Sequence, residues 1–333
     1  MVRVHNFDNT LKPQDLFDSS AMMMGNFDGF HQGHAQLADI TKQCSNRLNV
    51  PSCAATFAPH PDFFFARSPS LSQELLFTID QKIRAFSEAG IDAVVIQKFD
   101  EEFCEQSHED YFKNFMIGTM HSRSIVIGQN FRFGKSRGGD ARFLKEQGAP
   151  LDIEVHALEP ISLNGELISS TRIRKCLRND GNVELATELL GRPYLIEGII
   201  KKGQQLGRTL GFPTANLHDV QQLVPRNGVY AGCLWVGDPT QPLDRPSVLS
   251  IDPQALPAVI NIGTRPSVSE TDALQCEANI LSHYPFSGEL YGRHAGIYLT
   301  NRLREEKKFT SLEELKHAIA GDANTARNIL NLD

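Results

Sequence analysis

Hydrophobic patterning changes character once along the chain, and that change limits the possible folds more than any other feature. Up to about residue 180, where the pattern changes, short apolar runs alternate with helical patterns. The runs Ala21–Met24, Cys53–Phe57, Ala93–Gln97, Ser124–Gly128 and Ile153–Ala157 read as buried strands, being short, apolar and bounded by Gly, Pro or charge. His34–Leu48, Gln81–Ala89, Glu109–Met120 and Ala141–Gln147 read as the intervening helices. Strand–helix alternation at this spacing predicts a parallel sheet with helices on both faces. Ser169–Leu177 and Val183–Leu190 predict two more helices, broken at Asn179–Gly181. After Gly191-Arg192-Pro193 only strand-length runs follow: Tyr194–Ile200, Gly228–Val236, Ala258–Ile262, Leu274–Leu281 and Ala295–Leu299. Repeated Gly and Pro between them predict a small antiparallel β-barrel. A closing helix is expected from Ser311, an N-cap with Glu314 three residues on, to Ala320.

The 333 residues are enough for two cores, and the pattern change divides them into domains 1–186 and 187–333. A net charge of −7 argues against general nucleic-acid binding, which needs a basic face. No apolar run reaches membrane-span length. The opening MVRVHNFDNTLKPQDLF is broken by polar residues too early for a signal-peptide core. Six scattered cysteines without a CxxC pair fit reduced, mostly buried thiols of a cytoplasmic protein better than a disulfide framework or a zinc site. A monomer or weak homo-oligomer is expected.

Function concentrates first at Gly25-Asn26-Phe27-Asp28-Gly29-Phe30-His31-Gln32-Gly33-His34, between the first buried strand and the first helix. A HxxH pair alone reads as caps and solvated surface. Here it stands at a strand–helix turn, where sheets of this kind bind ligands and where a helix N-terminus attracts anions. A second element, Ile168-Ser169-Ser170-Thr171-Arg172-Ile173-Arg174, sets hydroxyls and arginines at another helix start.

These two segments resemble the GxFDGxHxGH and ISSTRIR signatures of the nucleotidylyltransferase superfamily. The resemblance implies a Rossmann-like nucleotidylyltransferase sheet in the first domain. It also implies ATP binding by Gly25, Phe27, Asp28, His31, His34, Ser170, Thr171 and Arg174, with His31 and His34 as the catalytic pair at the α-phosphate. Phe57-Ala58-Pro59-His60-Pro61 and Gly128-Gln129-Asn130-Phe131-Arg132-Phe133-Gly134 resemble the FxPHP and GxNFxFG segments of bacterial FAD synthetases. That likeness implies flavin contacts from Pro59, His60, Pro61 and Asn130. Phe131 and Phe133 have core packing as their simpler reading.

In the second domain, glycines recur every fourth residue in Gly203-Gln204-Gln205-Leu206-Gly207-Arg208-Thr209-Leu210-Gly211-Phe212-Pro213-Thr214-Ala215-Asn216. The segment resembles the GxxxGxxxGxPTAN motif of riboflavin kinases. That implies an ATP site at Gly203, Gly207, Arg208, Gly211, Thr214 and Asn216, with Thr214 and Asn216 as oxygen donors to Mg²⁺. Further matches in order are Pro225–Gly232, Asn261–Pro266, Leu290–Arg293 and Leu303–Glu306. The whole chain thus resembles the prokaryotic bifunctional riboflavin kinase/FAD synthetase family. Expected substrates are riboflavin, FMN and ATP, with FMN and then FAD as products.

The family's catalytic glutamate falls at Glu277, with Arg304 as a further flavin contact. The strand departs from the family pattern: Asn279 replaces the usual His, and Ser282 an Asp. Two alternatives therefore stand beside the bifunctional reading. One is an FMN adenylyltransferase whose barrel only binds flavin. The other is a flavin carrier without turnover, against which the presence of two phosphate motifs argues.

Overall fold

In the computed structural model the described residues are all except 1, 8–16, 67–73, 202–213, 239–240, 242–243, 266–272, 282–289 and 333. By internal contacts the chain falls into two units. One is Met1–Ser72 with Phe77–Ser169; the other is Gln73–Leu76 with Ser170–Asp333.

The first unit is a six-stranded parallel sheet of β1 (Arg3–Phe7), β2 (Ser20–Met24), β3 (Ser52–Ala58), β4 (Ala93–Lys98), β5 (Ser122–Gly128) and β6 (Glu154–Leu158), ordered β1-β4-β3-β2-β5-β6. The order reverses at β2, between β3 and β5, and ligands bind at such a switch point beyond the strands' carboxyl ends. α1 (Gln32–Leu48) crosses β2, β3 and β5. The unit also holds α2 (Pro61–Ala66), α3 (Ile79–Glu88), α4 (Glu101–Glu105), α5 (His108–Asp110), α6 (Ala141–Gly148) and the hairpin β7–β8 (Ser162–Leu163, Glu166–Leu167). α3 begins on a full capping box between Thr78 and Gln81. Met22, Met24, Ala55, Val95, Ile125 and Ile127 form one core layer with Phe112, Phe115, Met116 and Leu144.

Two features of this unit differ from the sequence reading. β1 was not expected; among the described residues it pairs with β4 alone, at the sheet edge, and its exposed Arg3 and Asn6 and half-buried His5 dilute the apolar signal. The helix expected at Glu109–Met120 is α5 followed by a π-helical stretch, Tyr111–Ile117. The wider turn buries Tyr111, Phe112, Phe115 and Met116 together.

The second unit opens with α7 (Ser170–Lys175), a π turn at Cys176–Asp180 and α8 (Val183–Leu190). These helices belong to it through hydrogen bonds. Arg302 N–H donates to Glu184 Oε1, and Arg226 N–H donates to the Leu177 carbonyl. The strands β9 (Tyr194–Lys201), β10 (Thr214–His218), β11 (Gly228–Val236), β12 (Leu256–Arg265), β13 (Ala273–Ile280) and β14 (His294–Arg304) close a barrel in the order β10-β13-β12-β11-β14-β9. α9 (Leu312–Ile329) covers Val229, Ala231 and Val259 with Ala323 and Ala326. Its N-cap is Ser311 as expected, but it runs past Ala320, where the expected helix ends, to Ile329. Burial raises the thiols of Cys53 and Cys276 to about 12, so both stay protonated at neutral pH.

Gly232 sits where the β11–β14 register shifts. A Cβ there would overlap the Tyr298 carbonyl oxygen and press to 3.0 Å on Ile260 Cδ1. Gly321 has open space on α9. Gly232→Ala is expected to destabilise the barrel by about 1–3 kcal/mol, and Gly321→Ala to stabilise it by about 1 kcal/mol. Thermal unfolding of the two variants beside the parent gives both signs.

Candidate active site

In the first unit the motif loop begins where β2 ends. Gly25 N–H donates to the Ala55 carbonyl, tying the loop to β3. Phe27, Gly29 and Phe30 take positive φ values of 49°, 80° and 42°. The turn drives both phenyl rings inward, Phe27 to 0% exposure and Phe30 to 2%. Phe27 meets His34 and Phe86 edge-on at 5.2 Å, and Phe30 meets Phe86 at 5.6 Å. Asp28 is buried and its Oδ1 accepts the Phe77 N–H at 2.9 Å, which holds the turn. Phe27 and Asp28, both expected in the ATP site, thus also anchor the loop.

His31 is the N-cap residue of α1, but its side chain makes no capping hydrogen bond. Its carbonyl accepts the N–H groups of His34 and Ala35 at 2.8 and 3.0 Å. The imidazoles of His31 and His34 stack at 3.7 Å with 16° between planes. A Cβ on Gly33 would come within 3.2 Å of the His31 ring, so the small residue leaves that ring its place. Two imidazoles at one helix start, at the positive end of the helix dipole, suit a polyphosphate.

Because β3, β2 and β5 are neighbours, the loops after them share one edge of the sheet. His60 is buried; its Nδ1 accepts the Asp62 N–H at 3.2 Å, and its ring packs on Phe63 at 5.0 Å. Pro59 follows a cis peptide, and Pro61 begins α2. Asn130 is exposed. Phe133 lies in the core with Phe131 packed against it, as their simpler reading had it. Ser170, Thr171 and Arg174 lie on α7 in the second unit, where Arg174 Nε donates to the Glu74 carbonyl at 2.9 Å.

In the barrel, Gly203, Gly207, Arg208 and Gly211 lie outside the described residues. Thr214 and Asn216, which fall on none of the strands expected from the sequence, lie at the start of strand β10. Antiparallel register sets Thr214 opposite Asn279 and Asn216 opposite Glu277 on β13. Directly opposed residues share a face, so all four side chains stand together. Cys276, Ala278 and Ile280 are buried on the other face of β13. The row runs on both ways: Asn216 opposes Lys201 on β9, and Glu277 opposes Asn261 on β12. Asn261 was quoted only as part of a motif; its place opposite Glu277 appears once the register is known. Arg304 is engaged elsewhere. Its guanidinium forks onto Asp322 of α9 at 2.8–3.2 Å and lies 5.7 Å from the Phe309 ring. A separate cleft of about 420 Å³ is lined by Ile199, Arg245, Tyr291, Arg293 and His294 among others. Its Tyr291–Arg293 segment belongs to a stretch the sequence had matched to the family without giving it a role.

A parallel sheet with paired histidines at its switch point, joined to a barrel carrying a Thr–Asn–carboxylate row, marks a transferase with two nucleotide-using halves. The FAD synthetase family model matches residues 14–172, and the riboflavin kinase model matches residues 190–330. The chain belongs to the bifunctional riboflavin kinase/FMN adenylyltransferase family. It is 33% identical over 329 residues to the protein of that name from Escherichia coli K12, covering 99% of this chain and 97% of the relative. The Pseudomonas fluorescens relative is 34% identical over 304 residues, 91% of each chain. A crystal structure from Streptococcus pneumoniae, named a macrolide-efflux protein, superposes with TM-score 0.81 at 25% identity over 98% of this chain and 99% of its own. Among the described residues no helix is long and apolar enough to cross a membrane.

Removing one transition-state donor from such a site costs about 10²–10³-fold in rate. His31→Ala and His34→Ala should each lose that much in FMN-to-FAD conversion while phosphorylating riboflavin near the parent rate. Full adenylylation by a folded His31→Ala protein would remove the histidine from the site.

Proposed function

We propose that the chain makes FMN from riboflavin and ATP in its barrel, and FAD from FMN and a second ATP at its parallel sheet. The observation that carries the barrel half is the pairing of Asn216 with Glu277, which puts the motif's amide beside a carboxylate. Both family models match, and the curated relatives carry both activities in their names, so neither a single-activity enzyme nor a carrier is favoured.

In the kinase step Glu277 orients the terminal ribityl hydroxyl and accepts its proton. The hydroxyl oxygen bonds to the γ-phosphorus as the bond to the β–γ bridging oxygen breaks, releasing ADP. Phosphoryl transfer of this kind rests on positioning and charge stabilisation. Thr214 and Asn216 offer hard oxygen donors two residues apart on one strand face, with Asn216 buried, and this set fits Mg²⁺. Bound there, Mg²⁺ neutralises charge on the ATP phosphates. Asn279 shares the face of Glu277, and as an amide it cannot replace the carboxylate as base.

In the adenylyl step an FMN phosphate oxygen bonds to the α-phosphorus of ATP and pyrophosphate leaves. His31 and His34 donate hydrogen bonds to the phosphate oxygens where charge builds up. Pro59, His60, Pro61 and Asn130 frame the flavin side from adjoining loops. The enzyme works as a cytoplasmic protein on small-molecule substrates.

Incubation with riboflavin, ATP and Mg²⁺, with the flavins separated over time, should show FMN rising first and FAD following. Glu277→Gln keeps size and an oxygen acceptor, and should slow riboflavin phosphorylation by about 10²–10⁴-fold. Adenylylation of supplied FMN should stay near the parent rate. Normal phosphorylation by this variant would make the carboxylate structural. A parent that adenylylates FMN but never phosphorylates riboflavin would leave the barrel as a flavin-binding module.

A further inference from the structure

A cluster of side chains toward the amino ends of the parallel strands has no part in either reaction. Cys44 lies near the end of α1 and is only 3% exposed. Its Sγ is 3.4 Å from Nε2 of His156 on the edge strand β6. The same Nε2 is 3.4 Å from Glu154 Oε2, and the three atoms all lie within 4.8 Å of one another. Arg47, a turn beyond Cys44, donates to both Glu154 oxygens, and its Nη2 stands 3.9 Å from Cys44 Sγ. Glu154 begins β6, whereas the motif loops leave the far, carboxyl ends of the parallel strands.

The Arg47–Glu154 pair is an ordinary ion pair between half-exposed groups, with side chains 53% and 36% exposed. It does not account for a buried thiol and an imidazole converging with the carboxylate on one point. Tetrahedral Zn²⁺, with bonds of about 2.3 Å to sulfur and 2.0–2.2 Å to nitrogen or oxygen, sets neighbouring ligand atoms about 3.3–3.6 Å apart. The two measured contacts to Nε2 match that spacing.

We propose that Cys44, His156 and Glu154 form a zinc-type metal site that clips the end of α1 to the edge strand β6. A thiolate, an imidazole and a carboxylate suit a borderline-soft divalent cation. Without metal, Arg47 supplies the positive charge. As metal binds, the Cys44 proton passes to solvent and the neutral His156 ring offers its Nε2 lone pair. Glu154 gives up a hydrogen bond from Arg47, which is exposed enough to turn outward. Glu154 and His156 are each 36% exposed, which leaves an entry path and room for water as fourth ligand.

The test uses the full chain stripped with a chelator and titrated with Co²⁺, then Zn²⁺. The parent should take up one Co²⁺ with a near-ultraviolet thiolate charge-transfer band, and Zn²⁺ should erase the band and raise the thermal midpoint. Cys44→Ala should abolish the band. His156→Ala should weaken Zn²⁺ binding beyond the roughly 10–100-fold that follows from losing a group that merely orients a ligand. Arg47→Ala should bind Zn²⁺ more tightly, because the competing guanidinium is gone. The site is overturned if the parent shows no thiolate band, if Cys44→Ala keeps it, or if Arg47→Ala binds metal less tightly. His156 and Arg47 lie at the surface, so their variants keep the test readable should Cys44→Ala fold poorly.

Discussion

The antiparallel register of β10 against β13 is the constraint on which the barrel and its chemistry rest. Side chains alternate between faces along a strand, so a slip of one residue would invert β13. Glu277 and Asn279 would turn into the apolar interior, and Cys276, Ala278 and Ile280 would turn outward. Burial of those three residues therefore fixes the position of the carboxylate. β10 closes the ring between β9 and β13, so the same pairing completes the barrel and brings Asn216 to Glu277. Core packing and site geometry depend here on one set of hydrogen bonds.

The parallel sheet meets its demands differently. Its inner strands β2, β3, β4 and β5 are largely buried, so the chemistry is left to the turns that follow them. Phe27 and Phe30 hold the first of these turns from inside, and Asp28 holds it through the Phe77 N–H. Phe27 and Asp28 hold in place the turn from which the two histidines project. A signature that looks wholly functional in sequence is thus partly a folding instruction.

This division explains how much was legible beforehand. The inner strands β2, β3, β4 and β5 stood out because they are continuous apolar runs. β1 did not, because an edge strand half in water carries polar residues. The strand character of β10 was hidden because Thr214–His218 is short and mixed, and its residues were already explained as a phosphate motif. The π-helical stretch at Tyr111–Ile117 has the composition of an ordinary amphipathic helix, and its wider turn is set by tertiary packing. Motif order singled out the two histidines and Glu277, and the structure stacks the first two and sets the third opposite Asn216. Asn261 was not, because register is a long-range property that local spacing does not encode. The Cys44, Glu154 and His156 cluster was hidden for the same reason: more than a hundred residues separate its two halves.

The position of α9 in the chain bears on how the protein is made. All six barrel strands precede it, yet it covers Val229, Ala231 and Val259 on the barrel's outer wall. Synthesis runs from the amino end at about 5–20 residues per second. For a short interval, therefore, a newly made barrel has every strand it needs and still shows an apolar patch. During that interval the patch is open to chaperones and to neighbouring chains.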